Sequence, residues 1–143
     1  MSRHRSIFLV DALPGDALID GEVIDVVRGV LDKEKASPID RARAIYRGRR
    51  ARNRHFDDSL FAEPSWDILL DLFIADGVGR SVTVSSACIG AAAPHATALR
   101  HLGMMQRKGL LERSAHPNDA RCQQVRISAT AAASMRGLLA NLP

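Results

Sequence analysis

The feature that most constrains the fold is a helical pattern that runs directly into a hairpin pattern. Residues 109–128, GLLERSAHPNDARCQQVRIS, contain two short extended segments around a polar loop at 116–121. Pro, Asn and Asp favour a turn, so the loop predicts a β-hairpin. The segment before it predicts a helix over 94–107, with Gly109 ending it. Three apolar residues of this helix are expected to face the core: Leu99, Leu102 and Met105.

Two further helical patterns precede this unit. PSWDILLDLFIADG, from residue 64, predicts a helix with Ser65 as its N-cap and with Asp67 and Asp71 on its solvent face. Its expected core stripe has helical spacing and consists of Trp66, Leu69, Leu70, Phe73 and Ile74. VTVSSACIGAAA predicts a short extended piece at 82–84 and a small helix over 85–92.

The order of these elements is that of a winged helix-turn-helix. We therefore predict a mainly α fold with a small β-wing, in the α+β class. Residues 61–143 would form the winged helix-turn-helix DNA-binding domain, and residues 1–60 an N-terminal arm and helical extension. The candidate DNA-binding residues lie on the two helices of the motif and on the wing: Ser85, Ser86, His95, Thr97, Arg100, His101, Arg113, Asp119 and Arg121.

Helix 94–107 is expected to lie in the major groove of double-stranded DNA, because the second helix of the motif docks there. Arg100 is its strongest candidate, since a guanidinium pairs bidentately with guanine. Ser85 and Ser86 offer hydroxyls and free backbone N–H groups to a phosphate.

The wing, residues 110–128, is expected to overhang the adjacent minor groove. A narrow minor groove has a strongly negative potential that attracts arginine, which makes Arg121 the candidate there. Asp119 would hold the Arg121 guanidinium in a fixed direction. Arg113 and Arg126 flank the strands and would reach phosphates.

TALRHLGMMQRKGLLERSAHPNDARCQQVRIS resembles the recognition helix and wing of MarR-type winged-helix transcription regulators. The Asp-x-Arg pair of that wing is matched by Asp119 and Arg121, and its final strand by VRIS. The resemblance covers about residues 64–135. It implies a homodimer that binds a pseudo-palindromic operator, usually as a repressor, often with a small-molecule effector at the dimerisation junction. The residues themselves give no support for an effector. An apolar stripe at 19–31 suggests that the protein dimerises through residues 7–56.

The charge distribution favours an anionic partner. The net charge is +4, yet residues 80–143 hold eight Lys/Arg against two Asp/Glu. Nucleic acid is the commonest partner of such a surface, although a basic surface can also serve solubility alone. An arginine-rich helix capped by Ser37 and running through 38–54 has two interpretations. It faces phosphate, or it is a solvated helix whose charges meet the acidic N-terminal region.

Other classes of function have little support in the sequence. There is no Gly-rich phosphate loop, nucleophile motif or metal-type spacing of His and Cys, so we expect no enzyme, no cofactor and no metal. No apolar run approaches a membrane span or signal peptide, and Cys88 and Cys122 are far apart, so a reducing cytoplasm is expected. Cys88 is expected to be buried and inert, whereas Cys122 near the wing is open to oxidation. The alternative function is a winged-helix protein–protein interaction module or a transcription cofactor without its own DNA specificity.

Overall fold

A computed structural model describes residues 23–27 and 36–143 of the chain. The chain divides into two compact units, residues 1–35 and 36–143. In the first unit, residues 23–27 are helical with exposed side chains, as the apolar pattern at 19–31 predicts for that part. The predicted extended arm at 6–15 and the remainder of 19–31 lie outside the described residues.

The second unit contains five α-helices, a short 3-10 helix and one antiparallel sheet. In chain order they are α1 (Pro38–Arg52), the 3-10 helix (Asp58–Phe61), α2 (Pro64–Val78), β1 (Val82–Thr83), α3 (Val84–Gly90), α4 (His95–Arg107), β2 (Leu111–His116), β3 (Asp119–Ile127) and α5 (Ala129–Ala140). The sheet order is β1-β3-β2. This is the winged helix-turn-helix arrangement that the sequence predicts, with β2 and β3 as the wing.

Side-chain caps fix where most of these helices begin. Ser37 accepts a hydrogen bond from the Asp40 amide at the start of α1, and Ser128 accepts one from the Ala131 amide at the start of α5. The predicted cap of α2 is wrong. Glu63 occupies that position without a side-chain cap, and the Ser65 hydroxyl instead hydrogen-bonds to a side chain of α4.

Helix α2 is the centre of the core, because it contacts α1, α3, α4 and β3. Its buried residues therefore surround the helix instead of following one stripe: Asp67, Ile68, Leu70, Leu72, Phe73 and Ala75. Trp66, Leu69 and Ile74 of the predicted stripe are only partly buried against this core. The predicted solvent position of Asp67 is wrong, since that residue is 3% exposed.

The buried carboxylate of Asp67 receives two hydrogen bonds from one guanidinium. Arg49 Nε lies 2.6 Å from Asp67 Oδ1, and Arg49 Nη2 lies 3.2 Å from Oδ2. Arg49 also contacts Glu63 at 2.6 Å, and Arg50 Nη1 approaches Asp67 Oδ2 at 4.0 Å. The hydrogen bond to Asp67 raises the pKa of Arg49 and outweighs the effect of its partial burial. The carboxylate is thus matched by charge and geometry inside the protein.

The arginines of α1 connect it to three other parts of the unit. Arg50 donates to the Gly90 carbonyl at the end of α3, and Tyr46 donates to the same oxygen at 3.1 Å. Arg41 Nη1 lies 2.7 Å from the Leu139 and Leu142 carbonyls at the end of α5. Most of these charges are therefore used inside residues 36–143, and the division predicted between residues 60 and 61 runs through this unit.

A glycine allows the close contact of α1 with α2. A Cβ at Gly77 would lie 2.3 Å from Ile39 Cδ1, so any side chain at residue 77 would force the neighbouring atoms to move. The helices approach each other here because Gly77 has no side chain.

We expect Asp67→Ala to lower the free energy of unfolding by about 3–5 kcal/mol, because it leaves the Arg49 guanidinium without its buried partner. Urea denaturation monitored by circular dichroism measures this change. The matched control is Arg43→Ala, which removes an exposed pair with Asp40 at 3.8 Å and should cost about 0–1 kcal/mol. Equal losses in the two variants would contradict a structural role for the buried pair.

Candidate nucleic-acid interface

Helix α4 has one buried face and one outward face. Its buried residues, Ala98, Leu102 and Met105, recur at intervals of four and three and pack against the core. At about 100° per residue, the direction opposite to them carries Ala96, Arg100, Gly103 and Arg107. The prediction that Leu99 faces the core is wrong, since Leu99 is 37% exposed and Ala98 takes the core position.

The turn between α3 and α4 is fixed from both sides. Ala92 adopts a left-handed backbone with φ of 48°, and Pro94 occupies the N-cap position of α4. The Gly90 carbonyl before the turn accepts the hydrogen bonds from Tyr46 and Arg50. Because proline restricts the backbone and α1 holds the preceding carbonyl, the direction in which α4 leaves the turn is tightly determined.

The wing differs from a simple hairpin with a long loop. Its turn is only Pro117–Asn118, where the Asn118 amide donates to His116 Nδ1 at 3.1 Å. The strand register is regular from Leu111↔Ile127 to Ala115↔Gln123 and then shifts, so that His116 pairs with Asp119. Residues 120–122 are therefore accommodated as a bulge in β3, and Arg121 lies in it instead of at the tip of a loop.

Asp119 stabilises this bulge by a contact that differs from the predicted one. Asp119 Oδ1 accepts a hydrogen bond of 3.0 Å from the Arg121 backbone amide. In residues 36–143 the Arg121 guanidinium makes no ion pair, so Asp119 fixes the backbone and leaves the side chain free. A bulge leaves a ladder donor unpaired, and the carboxylate satisfies that donor.

The bulge faces the beginning of α3 across a cleft of about 430 Å³. Thr83, Val84 and Ser85 line one side, and the wing residues that line the other are Asp119, Arg121, Cys122 and Gln123. Ser85 and Arg121, which are 36 positions apart in the sequence, thus meet at one surface. The prediction that the Ser86 backbone N–H is free is wrong, because this N–H donates a hydrogen bond of 3.1 Å to the Thr83 hydroxyl.

Two predicted site residues make internal contacts instead of joining this surface. His101 is half-buried, and its Nδ1 lies 2.7 Å from the Ser65 hydroxyl. Arg113 pairs in register with the buried Val125 and is itself half-buried, with its Nε lacking a hydrogen-bond partner among the described residues. Both face the protein more than solvent, while His95 is exposed and Thr97 is half-buried on α4.

The exposed cations of α4 and the wing have no carboxylate partner in residues 36–143. They are Arg100, Arg107, Lys108 and Arg121. By contrast, Arg126 lies 3.9 Å from Asp76 and 4.0 Å from Glu112, and Arg80 pairs with Asp71 at 3.0 Å. Our sequence analysis missed Arg107 and Lys108, although the seven-residue spacing from Arg100 to Arg107 places both arginines on one helical face.

The described residues offer no assembly of three His, Cys, Asp or Glu side chains that would hold a metal ion. Among them there is also no helix with the length and apolarity required to cross a membrane.

We expect Asp119→Ala to increase the hydrogen-exchange rate of the Arg121 amide about tenfold, because the amide loses a charged acceptor. NMR-detected exchange on the folded protein measures the rate. Asp58→Ala removes the same charge from the distant 3-10 helix and should leave this amide unchanged. An unchanged rate in Asp119→Ala would show that the contact does not support the bulge.

The two cysteines should differ in reactivity. Burial raises the pKa of the Cys88 thiol, and the nearby Arg113 charge offsets this only in part. A disulfide reagent that reacts with thiols at pH 8 should therefore modify the half-buried Cys122 quickly in the native protein. It should modify Cys88 only after denaturation. Rapid reaction of native Cys122→Ser would contradict this assignment.

No protein-family model matches the chain, and no curated protein matches it. Among solved structures, it is similar to a crystal structure of a point mutant of MepR from a multidrug-resistant S. aureus clinical isolate, with 14% identity, 56% of each chain covered and a TM-score of 0.48. It is also similar to a mutant of MarR from E. coli complexed with operator DNA, with 18% identity, 50% of each chain covered and a TM-score of 0.40. The chain spans about half the length of the solved chains it matches.

Proposed function

We propose that the protein is a sequence-specific regulator of transcription that binds double-stranded DNA. The observation that carries this proposal is the division of its arginines. Those of α1 are mostly held in internal contacts, whereas Arg100, Arg107, Lys108 and Arg121 extend from α4 and the wing without carboxylate partners in residues 36–143. Unpaired cations on one surface of a winged helix match the phosphates of a duplex.

Helix α4 would lie in the major groove with Arg100 towards the base edges. The groove is about 12 Å wide and admits a helix. Ala96 and Gly103 lie on either side of Arg100 along the outward face, so the backbone can approach the bases closely. Arg100 would then donate a hydrogen bond from each of its terminal nitrogens to guanine. His95 and Thr97, in the first turn of α4, would lie near the same bases.

The wing would contact the flanking minor groove through Arg121. The bulge directs this side chain away from the regular ladder, and the cleft brings Ser85 to the same surface, where its hydroxyl would donate to the intervening phosphate. Asp119 would act through the backbone of the bulge. His101 and Arg113 would support this surface by packing.

A homodimer would let two copies of α4 read two half-sites about 34–36 Å apart. Exposed apolar residues of the N-terminal segment support this assembly: Val23, Ile24, Val26 and Val27. A dimer on its operator would obstruct a promoter and so act as a repressor. Light scattering of the purified protein measures its mass and so tests the dimer. Repression is tested by the expression of a reporter gene placed behind the DNA upstream of the protein's own gene.

We expect Arg121→Ala to weaken binding most where the flanks of the site are rich in A·T pairs, because those sequences narrow the minor groove. Fluorescence anisotropy with A·T-rich and G·C-rich flanking duplexes, from 50 to 300 mM salt, measures the difference. The control Arg136→Ala removes an exposed charge of α5 and should leave the preference for flanks unaltered. Equal losses on both flanks would refute the minor-groove assignment.

Arg100→Ala should relax the preference at one base pair in each half-site, by about 1–3 kcal/mol, because the bidentate pair with guanine is lost. Selection from a randomised duplex library, done with both proteins, measures this. An identical selected motif would show that Arg100 does not read a base, and the absence of any motif with the unaltered protein would refute the proposed function.

A further inference from the structure

We infer that Leu99 reads thymine, by apolar contact with the C5 methyl group in the major groove. This inference rests on the proposed function and extends it, because it assigns base recognition to a residue with no hydrogen-bonding side chain. It starts from the exposure of a large apolar side chain on the very helix that would enter the groove.

Core packing covers only part of Leu99. Ala98, Leu102 and Met105 are each at most 1% exposed and fill the contact between α4 and the rest of the unit. Leu99 is about 100° around the helix from Ala98 and leaves more than a third of its surface in solvent.

The neighbours of Leu99 on the helix surface leave its side chain uncovered. The positions three and four residues before it are Ala96 and His95, and those three and four residues after it are Leu102, which is buried, and Gly103. A Cβ at Gly103 would contact only Arg107 Nη1, at 3.4 Å, so the space beside Leu99 is open. Leu99 therefore lies on the flank of the outward face, next to Arg100 and with small residues at two of its neighbouring positions.

The chemistry of the groove selects the ligand of this leucine. Thymine is the base that presents a methyl group in the major groove, whereas cytosine presents an amino group at the equivalent edge. A leucine beside the guanidinium of Arg100 would exclude water from that methyl group. It would favour T·A over C·G next to the guanine that Arg100 contacts. The surrounding unpaired cations favour a duplex over an apolar protein partner at this face.

The test removes the methyl group without changing the sequence. A motif is first selected from a random library with the full chain, and each thymine is then replaced singly by deoxyuridine. One thymine per half-site should show a loss of about fourfold, because burial of a single methyl-sized group contributes about that much. Leu99→Ser should bind the thymine duplex and the deoxyuridine duplex equally. Val78→Ser, which alters an exposed residue at the end of α2, should keep the difference.

The outcomes separate the two proposals. A selected motif whose affinity does not respond to deoxyuridine at any position overturns the role of Leu99 and leaves the DNA-binding function standing. A response to deoxyuridine that persists in Leu99→Ser also overturns it. Failure to select any motif overturns both. Circular dichroism at the assay temperature identifies a Leu99→Ser variant that lost binding by unfolding. With the unaltered protein, 5-methylcytosine at the same position should restore the affinity that is lost when cytosine replaces the thymine.

Discussion

The arrangement of the second unit, residues 36–143, depends on the bidentate contact between Arg49 and Asp67. Asp67 lies in the central helix, and the removal of its carboxylate from water would be costly without a matched partner. A pair of apolar residues of similar volume could give comparable stability at such a place. What the ion pair adds is geometry, because two parallel hydrogen bonds fix the rotation and the register of α1 on α2.

Helix α1 also influences the surface that we propose to face DNA. Once Arg49 holds α1 on α2, the adjacent Arg50 is placed to donate to the Gly90 carbonyl, directly before the turn that leads into α4. The direction of α4 therefore depends on contacts that α1 makes at the preceding turn. A shift of α1 would change the path of the turn and so the angle at which α4 presents Arg100. The arginine-rich helix is thus linked by structure to the helix that we propose to read DNA.

The helices, the hairpin and the winged-helix order could be predicted because they depend on local patterns and turn residues. The burial of Asp67 could not, since a polar residue at a helical surface position is indistinguishable in sequence from one that meets an arginine 18 residues away. The prediction for Leu99 was wrong in the opposite direction, because it placed an exposed residue in the core. Its apolar character matched the core pattern, but the small Ala98 allows α4 to pack closely and leaves Leu99 outside. The bulge at Arg121 depends on strand register, which a short hairpin sequence does not specify.

The separation of paired from unpaired arginines explains why a net charge of +4 is a poor guide to the partner of this protein. An arginine that neutralises a carboxylate, as Arg49 of α1 does with Asp67, contributes little long-range potential. The cations of α4 and the wing, Arg100, Arg107, Lys108 and Arg121, have no carboxylate partner in residues 36–143 and would attract an approaching duplex. The arginines of α1, by contrast, mostly find partners on other elements of this unit, and Arg50 among them holds the carbonyl that precedes α4. The electrostatic attraction and the base recognition that we propose would therefore both depend on the packing in which a buried ion pair holds α1 beside the turn into α4.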